Sequence, residues 1–318
     1  MKHTDPETGE LEGAQVGEYR LVARMATGGM AEVWLADALG GPLAGGPAVV
    51  KRLLPQLRKA ADCVARFRAE ADLGTRLTHP NLARAFGLIE ARGELFLAQE
   101  LVGGETLALL AAAARLGASR LDPAAVVHAG LGLLGALEHL HAFRLVHADV
   151  NPGNLVARPD GSVKLIDLGL AQALPPGGSV PSPDGALRGT PAYMSPEQVK
   201  ARPLDARSDL FSAGAALWEL LANRPLFAAE TEFETPRRVR EMPAPPLQSV
   251  WPQAPTGLTR LLVRALAKDP EQRFPSAAAL LQELREAATR AGLQDGQPAL
   301  ALAVARWAPR AQSEIAGD

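Results

Sequence analysis

The sequence has very little cysteine, no strong excess of charge of either sign and no apolar start. Cys63 is the only cysteine among the 318 residues, so the chain cannot form a disulfide within itself. A single thiol suits a reducing compartment, and the polar opening MKHTDPETGE has no apolar core of the kind that signal peptides carry. We therefore expect a cytoplasmic protein.

The charge balance and the apolar runs exclude further classes. The formal net charge is −2, which gives no overall attraction to nucleic acid or to an anionic membrane. The late apolar run over residues 299–305 is far shorter than the roughly 20 residues that span a bilayer. The sequence also has no internal repeat and no cluster of Cys and His at metal-binding spacing. We expect no nucleic-acid partner and no membrane segment.

The composition is that of a folded chain. Hydrophobic residues make up 47% of the sequence and charged residues 21%, so a chain of this length can bury a sizeable core. One two-lobed unit and two separate domains both fit these values.

Residues 147–169, which read HADVNPGNLVARPDGSVKLIDLG, predict a hairpin. Two short apolar runs, 154–157 and 162–166, flank a Pro-Asp-Gly sequence that is typical of a turn. A hairpin brings the two ends of the stretch side by side. Polar residues placed at those ends therefore converge.

Asp149, Asn154 and Asp167 are the polar residues at these ends. Two carboxylates and an amide oxygen are hard ligands that suit magnesium, and a carboxylate can accept a proton from a hydroxyl, as phosphoryl transfer requires. Taken by themselves, the same residues are also compatible with a polar surface hairpin, because Asp and Asn are ordinary turn residues.

The stretch resembles the catalytic loop and the metal-binding loop of protein kinases, H-R-D-x-x-x-x-N followed by D-F-G. The resemblance covers residues 19–284 in the style of the eukaryotic-like serine/threonine kinases of bacteria. It implies an α+β, bilobal fold, with a small N-lobe made of a five-stranded antiparallel sheet plus one helix and a larger, mainly helical C-lobe. The predicted boundaries are a flexible tail over 1–16, lobes over 17–101 and 102–290, and a C-terminal tail over 291–318.

This resemblance implies transfer of the γ-phosphoryl group of ATP to a serine or threonine hydroxyl of a protein, with ATP and Mg²⁺ in the cleft between the lobes. Asp149 would orient the hydroxyl and accept its proton. Asn154 and Asp167 would hold the metal. Lys51, which ends the run AVVK in place of V-A-I-K, would hold the ATP phosphates and be oriented by Glu70.

The resemblance also assigns a nucleotide site. Residues 26–30 form a glycine-containing turn, and backbone amides in such a turn can approach an anion closely. The match to G-x-G-x-x-G-x-V is imperfect, because Ala26 and Ala31 replace two of the glycines. The residues implied to contact ATP, besides Lys51, are Ala26, Thr27, Gly28, Gly29, Val33, Val49, Gln99, Glu100, Val102 and Leu155.

Four further positions match parts of the family that support the substrate platform. The run GTPAYMSPE places Thr190 and Glu197 at the end of an activation segment, with S-P-E in place of A-P-E. The resemblance implies that Glu197 pairs with Arg273. It also implies that Asp209 braces the backbone of the catalytic loop.

The catalytic motifs depart from the family pattern at three positions. Ala148 replaces the arginine of H-R-D, Leu168 replaces the phenylalanine of D-F-G, and Asn151 replaces a lysine that normally lies near the transferred group. Losing one such stabilising donor can cost on the order of 10² to 10³ in rate. We therefore list Asn151 with the catalytic residues and expect Asn151→Lys to raise kcat.

An active protein kinase would have protein substrates and a possible regulatory partner, but two alternatives stay open. The first, favoured by these departures, is a catalytically weak or inactive pseudokinase that acts as a regulatory scaffold for a protein partner. The second is a small-molecule phosphotransferase, which shares H-x-D-x-x-x-x-N and a later metal-binding aspartate. The activation segment and the expected pairing of Glu197 with Arg273 argue against the latter.

Overall fold

The computed structural model describes residues 11–175, 179–180, 189–231 and 233–315, with side chains as far as 309. The chain divides into two units, Met1–Val102 and Gly103–Asp318, so the boundary lies one residue beyond the predicted one. The first unit is rich in strands and the second is mainly helical. The predicted α+β class is confirmed.

The first unit is built on one antiparallel sheet with the strand order β1-β2-β3-β4-β6-β5. Its elements are β1 (Gln15–Val16), β2 (Tyr19–Thr27), β3 (Ala31–Ala38), β4 (Pro47–Leu53), α1 (Ala61–Arg76), β5 (Ala85–Ala91) and β6 (Glu94–Glu100). Within the described residues of this unit, 11–102, the sheet has six strands in place of the predicted five, because β1 pairs with β2 at the edge.

Strand β1 lies inside the segment that we predicted as a flexible tail over residues 1–16. Val16 is fully buried and Leu11 lies with it in the core of the sheet. The N–H of Gly13 donates to the carbonyl of Leu21 at 2.8 Å. The tail prediction is therefore wrong for residues 11–16. The segment is polar on average, but its two apolar side chains, Leu11 and Val16, are buried by the folded sheet. Residues 1–10 lie outside the described part of the chain.

The two faces of this sheet have different neighbours. Trp34, Val50 and Phe96 share one face and form its core. Leu97 points to the opposite face, where Phe67 of α1 packs against it. Alternation of side chains along each strand produces this division. Helix α1 covers only part of the second face, and the remainder carries the predicted nucleotide residues described below.

The second unit consists of helices packed around α3, with short strand pairs beside them. Its elements are β7 (Glu105–Thr106), α2 (Leu107–Leu116), α3 (Pro123–Ala142), β8 (Leu145–Val146), β9 (Leu155–Ala157), β10 (Val163–Leu165), β11 (Gln172–Ala173), α4 (Pro196–Val199), α5 (Ala206–Ala222), α6 (Glu234–Glu241), α7 (Thr256–Ala265), α8 (Ala277–Ala291) and α9 (Gly296–Ile315).

Helix α3 begins where the sequence indicates. Asp122 is its N-cap and accepts a hydrogen bond from the N–H of Ala124 at 2.7 Å, with proline at the first helical position. Gly130 allows α5 to approach, because a Cβ there would lie 2.7 Å from the side chain of Leu217. By length and composition α3 resembles a membrane span, but more than half of it is buried within the unit, as in the core helix of a folded domain.

Helix α9 occupies the region that we predicted as a C-terminal tail over 291–318. Its buried side chains, Leu300, Ala303, Val304 and Trp307, recur at helical spacing. The helix is anchored at its start, where Nε2 of Gln297 donates to the carbonyl of Asp160 at 3.0 Å. The tail prediction is therefore wrong over 296–315, because an apolar stripe packs this helix against α2 and α3. Residues 316–318 lie outside the described chain.

The environment of Lys268 makes the unfolding free energy depend on pH in the alkaline range. Its ammonium donates to the carbonyl of Val239 at 2.6 Å and lies 4.3 Å from the ring centre of Phe227. Burial, with the nearby charges of Arg273 and Lys200, lowers the pKa of Lys268 to about 8. The unfolded chain therefore binds more protons than the folded chain between pH 8 and 10.5, and stability rises with pH in that window.

When the pH rises from 7.5 to 10, we expect the unfolding free energy of wild type to increase by about 2 kcal/mol relative to that of Lys268→Met. Urea denaturation at the two pH values measures this difference. Because both chains share every other titrating group, parallel pH profiles for the two would show that Lys268 keeps its ordinary pKa in the fold.

Candidate active site

The β9–β10 hairpin brings the two ends of the predicted catalytic stretch together. Leu155 pairs with Leu165, and the N–H of Ile166 donates to the carbonyl of Asn154 at 2.8 Å. The turn is closed by Asp160, which accepts from the N–H of Ser162 at 2.9 Å. The hairpin predicted from the sequence is present, and it places residues 154 and 167 at the same end.

Asp149 lies at this end with both carboxylate oxygens engaged. Oδ2 accepts from Nδ2 of Asn154 at 3.1 Å. Oδ1 accepts from the N–H of Thr190 at 3.0 Å and from its hydroxyl at 3.2 Å. The carboxylate is thus held in one orientation, with one oxygen directed at a hydroxyl group.

Gly189 makes the approach of Thr190 to Asp149 feasible. Its φ is +103°, a conformation that favours glycine, and a Cβ there would lie 3.0 Å from Oδ1 of Asp149. A side chain at this position would push the segment away from the carboxylate. Position 189 therefore requires glycine for local structural reasons.

Asp209 is hydrogen-bonded to the backbone of the loop that carries Asp149, as the resemblance implies. It is fully buried, and its two oxygens accept from the backbone N–H groups of His147, at 2.8 Å, and Ala148, at 2.9 Å. Nε2 of His141 lies 2.9 Å from one of these oxygens. These contacts fix the backbone immediately before Asp149.

Asn151 does not have the role that the sequence suggested. It is buried, and its Nδ2 donates to the carbonyl of Asp149 and to the hydroxyl of Thr190, both at 3.1 Å. Its Oδ1 caps a short 3-10 turn by accepting from the N–H groups of Gly153 and Asn154. The amide group is therefore committed within the loop, and we correct its assignment from a catalytic residue to a positioning residue.

This geometry reverses the expected effect of Asn151→Lys. Lysine cannot accept the two backbone hydrogen bonds of the cap, whose loss costs about 1 kcal/mol. We expect kcat to fall about tenfold, a change measured by steady-state kinetics of the purified variant. Asn151→Ser is the matched control because serine can still cap the turn, so it should lose less. A higher kcat in Asn151→Lys would show that the position faces the transferred group after all.

The donor set at the end of the hairpin suits Mg²⁺ bound together with phosphate. Because Nδ2 of Asn154 donates to Asp149, the amide presents its oxygen as the atom able to bind a metal. Asp167 is exposed, has a φ of +67° and accepts from the N–H of Gly169 at 3.0 Å. Among the described residues, no group of three or more His, Cys, Asp or Glu could hold an ion. Mg²⁺ typically takes one or two carboxylates, waters and phosphate oxygens, which fits this site.

The first unit contains the predicted pair of Lys51 and Glu70. Nζ of Lys51 lies 2.8 Å from Oε1 of Glu70, and the two residues are 9% and 5% exposed. A buried carboxylate on α1 thus fixes the direction of an ammonium on β4. Breaking such a buried pair leaves an uncompensated charge, so the two positions are structurally linked.

The register of the sheet places four predicted nucleotide residues on one face. Val33 pairs with Lys51, and Val49 pairs with Gln99. Side chains of directly paired residues, and of residues two apart on a strand, lie on the same face. These four side chains therefore form one surface, and Ala26, which pairs with Val33, lies at its end.

The remaining predicted nucleotide residues lie at turns, strand ends and the unit boundary. Thr27 is the last residue of β2, and Gly28 and Gly29 lie in the exposed connection to β3, closed by a 2.8 Å bond from the N–H of Gly28 to the carbonyl of Ala31. In the first unit, Glu100 ends β6 and Val102 is the last residue; in the second, buried Leu155 begins β9. Their contact with ATP stays a prediction.

Glu197 and Arg273 meet, as the resemblance implies. The guanidinium donates to both carboxylate oxygens, at 2.7 and 2.8 Å, and both residues are buried. Burial by itself raises the pKa of Glu197, but the hydrogen bonds and charge of Arg273, with the Ser208 hydroxyl at 2.7 Å, hold that pKa below its usual value. The pair joins the activation segment to the segment after α7.

The sequence interpretation missed Gln198, which is buried in α4. Its Nε2 donates to the carbonyl of Ala148 at 2.7 Å. The pattern S-x-x-Q that begins at Ser195 is a capping-box signal and could have located the helix. No sequence pattern indicates the contact with Ala148, because the two positions are 50 residues apart.

Comparison with known proteins places these features in one family. The family model "Protein kinase domain" matches residues 27–284. The probable serine/threonine-protein kinase SCO3848 of Streptomyces coelicolor is 34% identical over 89% of this chain and 41% of its own length. The tyrosine-protein kinase MasK of Myxococcus xanthus is 32% identical over 84% of this chain and 42% of its own length. The chain thus spans about two-fifths of the length of these curated relatives.

A solved structure has the same fold. The crystal structure of the Mycobacterium tuberculosis PknI kinase domain aligns with a TM-score of 0.67 and 26% sequence identity, covering 87% of this chain and 98% of that chain. The bilobal fold predicted from the sequence is thereby confirmed.

Proposed function

The chain belongs to the protein kinase family, and on that premise we propose that it transfers the γ-phosphoryl group of ATP to serine and threonine hydroxyls of protein substrates. Because SCO3848 and MasK are each more than twice as long as the region that matches this chain, activity, substrates and partners are inferred from the site itself. The names of those relatives support a role in bacterial signalling.

The observation that carries the proposal is the hydrogen bonding of Asp149. One of its oxygens accepts from the hydroxyl of Thr190 at 3.2 Å, while the other is held by Asn154. A carboxylate arranged in this way can orient an acceptor hydroxyl and take its proton during transfer. In the reaction, the substrate hydroxyl would replace that of Thr190 at Oδ1.

The other residues have supporting roles in this mechanism. Asn154 and Asp167 would provide oxygen atoms for Mg²⁺, which would neutralise charge on the phosphates. Lys51, held by Glu70, provides a cation for the phosphate oxygens. Asp209 keeps the loop backbone fixed, so Asp149 does not need to reorganise when the substrate arrives.

The acceptor type is supported by the names of the relatives. SCO3848 is named a probable serine/threonine-protein kinase, and PknA of Mycobacterium tuberculosis is named a serine/threonine-protein kinase. MasK, by contrast, is named a tyrosine-protein kinase. We therefore assign serine and threonine as the acceptors and include phosphotyrosine among the products to be measured.

Incubation of the purified chain with Mg²⁺ and γ-labelled ATP tests the proposal, with and without a generic basic protein as acceptor. We expect label on phosphoserine and phosphothreonine after acid hydrolysis. Label on phosphotyrosine alone would overturn the assignment of the acceptor. No incorporation into either protein would overturn the activity and leave a scaffold that does not transfer phosphate.

Two further properties belong to the same proposal. A cytoplasmic location is supported by the single cysteine, since a chain of this length without a disulfide suits a reducing compartment. A regulatory protein partner is supported by Ala148, which lacks the charge that could bind a phosphate on the activation segment.

A further inference from the structure

Gln198 connects the short helix α4 to the loop that carries Asp149. Its Nε2 donates to the carbonyl of Ala148 at 2.7 Å, and its Oε1 accepts from the N–H of Ser195 at 2.8 Å. Gln198, Ser195 and Ala148 are all buried. Because both ends of the amide are bonded, its orientation is defined, and the donor faces the loop.

Ala148 adopts a backbone conformation that needs outside support. Its φ is +64°, in the left-handed region that a residue with a Cβ disfavours. Its N–H donates to Asp209 at 2.9 Å, and its carbonyl accepts from Gln198. The two side chains thus hold the residue from opposite sides. The carbonyl belongs to the peptide bond that leads directly into Asp149, so its direction determines where that carboxylate points.

We propose that Gln198 is a positioning residue for phosphoryl transfer, and that its hydrogen bond to the carbonyl of Ala148 keeps the following carboxylate, that of Asp149, aligned. This inference rests on the proposed kinase activity. It adds to the role of Asp209, which acts only on the N–H side of Ala148. A hydrogen bond that compensates an unfavourable backbone conformation is most important where the conformation carries a catalytic group.

Gln198→Glu isolates this contact. Glutamate still accepts from the N–H of Ser195 but places an oxygen against the carbonyl of Ala148, which repels it. We expect kcat to fall at least tenfold and KM for ATP to stay within twofold, because the residues assigned to ATP are unchanged. Ser195→Ala is the matched control, since it removes the 3.3 Å bond to the N–H of Gln198 and leaves the contact with Ala148 intact. Its kcat should stay within twofold of wild type.

Replacing Ala148 by glycine distinguishes positioning from simple stabilisation of α4. Glycine adopts a φ of +64° without a Cβ penalty, so the loop depends less on the hydrogen bond from Gln198. Gln198→Met removes this donor without placing a charge against the carbonyl. In chains that carry Ala148→Gly, the Gln198→Met change should therefore cost less than threefold in kcat. This dependence is a coupling that a double-mutant cycle measures.

Three results would overturn the inference. The first is a loss of kcat in Ser195→Ala equal to that in Gln198→Glu, and the second is an equal cost of Gln198→Met with and without Ala148→Gly. The third is a rise in KM for ATP with kcat unchanged in Gln198→Glu. If Gln198→Glu fails to fold, Gln198→Met must show the same pattern, since it removes the donor without burying a charge. Thermal melting of each variant identifies unfolded chains. An inactive wild type would overturn the proposed function, and the inference with it, whereas an active wild type without this pattern overturns the inference alone.

Discussion

Replacing Asp149 by asparagine is expected to lower kcat about a thousandfold while leaving the affinity for Mg²⁺–ATP within twofold. Asparagine occupies the same volume and can still accept from the N–H and hydroxyl of Thr190 at one oxygen. Asn154 loses its bond to the side chain but keeps its 2.9 Å bond to the backbone carbonyl of residue 149, which still orients its amide. It cannot take a proton, and a positioned general base contributes on the order of 10² to 10⁴ in rate. Transfer of label from ATP and nucleotide titration measure the two quantities separately.

Asp167→Asn is the matched comparison for this prediction. Asp167 lies at the same end of the hairpin but is assigned to the metal, so its loss should weaken Mg²⁺–ATP binding as well as turnover. Each variant removes one carboxylate, but Asp149→Asn should change kcat alone, whereas Asp167→Asn should change both kcat and the affinity for Mg²⁺–ATP. Equal kcat in wild type and Asp149→Asn would sink the mechanism, and weakened nucleotide binding in Asp149→Asn would mean that this residue also binds the metal.

Arg273→Met is expected to lower the unfolding free energy by about 3–5 kcal/mol, because it leaves Glu197 buried without its cation. Arg273 also donates to the backbone carbonyls of Ala267 and Arg207 at 2.8 and 2.9 Å, so these acceptors lose their partner too. Urea denaturation of the variant beside wild type measures the loss. The double variant Glu197→Leu, Arg273→Met removes both charges and should be more stable than Arg273→Met alone.

The pH dependence of this variant has a definite sign. In wild type the pKa of Glu197 is held below its usual value, so the pair stabilises the fold above that value and the stabilisation is lost as pH falls through the folded pKa. Without Arg273, burial raises the pKa of Glu197, and the residue takes up a proton on folding. The difference between wild type and Arg273→Met should therefore shrink as pH falls from 7 to 4. A difference that is independent of pH would contradict the assigned charge pairing.

Several parts of the site could be predicted from local sequence. The turn sequence Pro-Asp-Gly between two apolar runs predicts the β9–β10 hairpin, because turn geometry and strand alternation depend on adjacent residues. Asp122 followed by proline predicts the start of α3 for the same reason. The resemblance to protein kinases then paired distant residues, including Lys51 with Glu70 and Glu197 with Arg273, which no local pattern could join.

The errors have one kind of cause. Residues 11–16 and 296–315 were predicted as tails, yet Leu11, Val16, Leu300 and Trp307 are buried, because each depends on a surface that distant segments build. Asn151 was assigned to the transferred phosphoryl group by position. Its real partners, such as Thr190, come from a segment 39 residues away, and they use the amide completely.

The sequence by itself determined the hairpin, the start of α3, the carboxylates and amide at the loop end and, through its motifs, the family. Only the tertiary structure decided what Asn151 bonds to, that Gln198 supports the left-handed backbone of Ala148, and that the C-terminal segment is a packed helix. Capping, turn formation and alternation depend on neighbours along the chain. The direction of a buried amide depends on donors and acceptors that folding brings together from segments far apart in sequence.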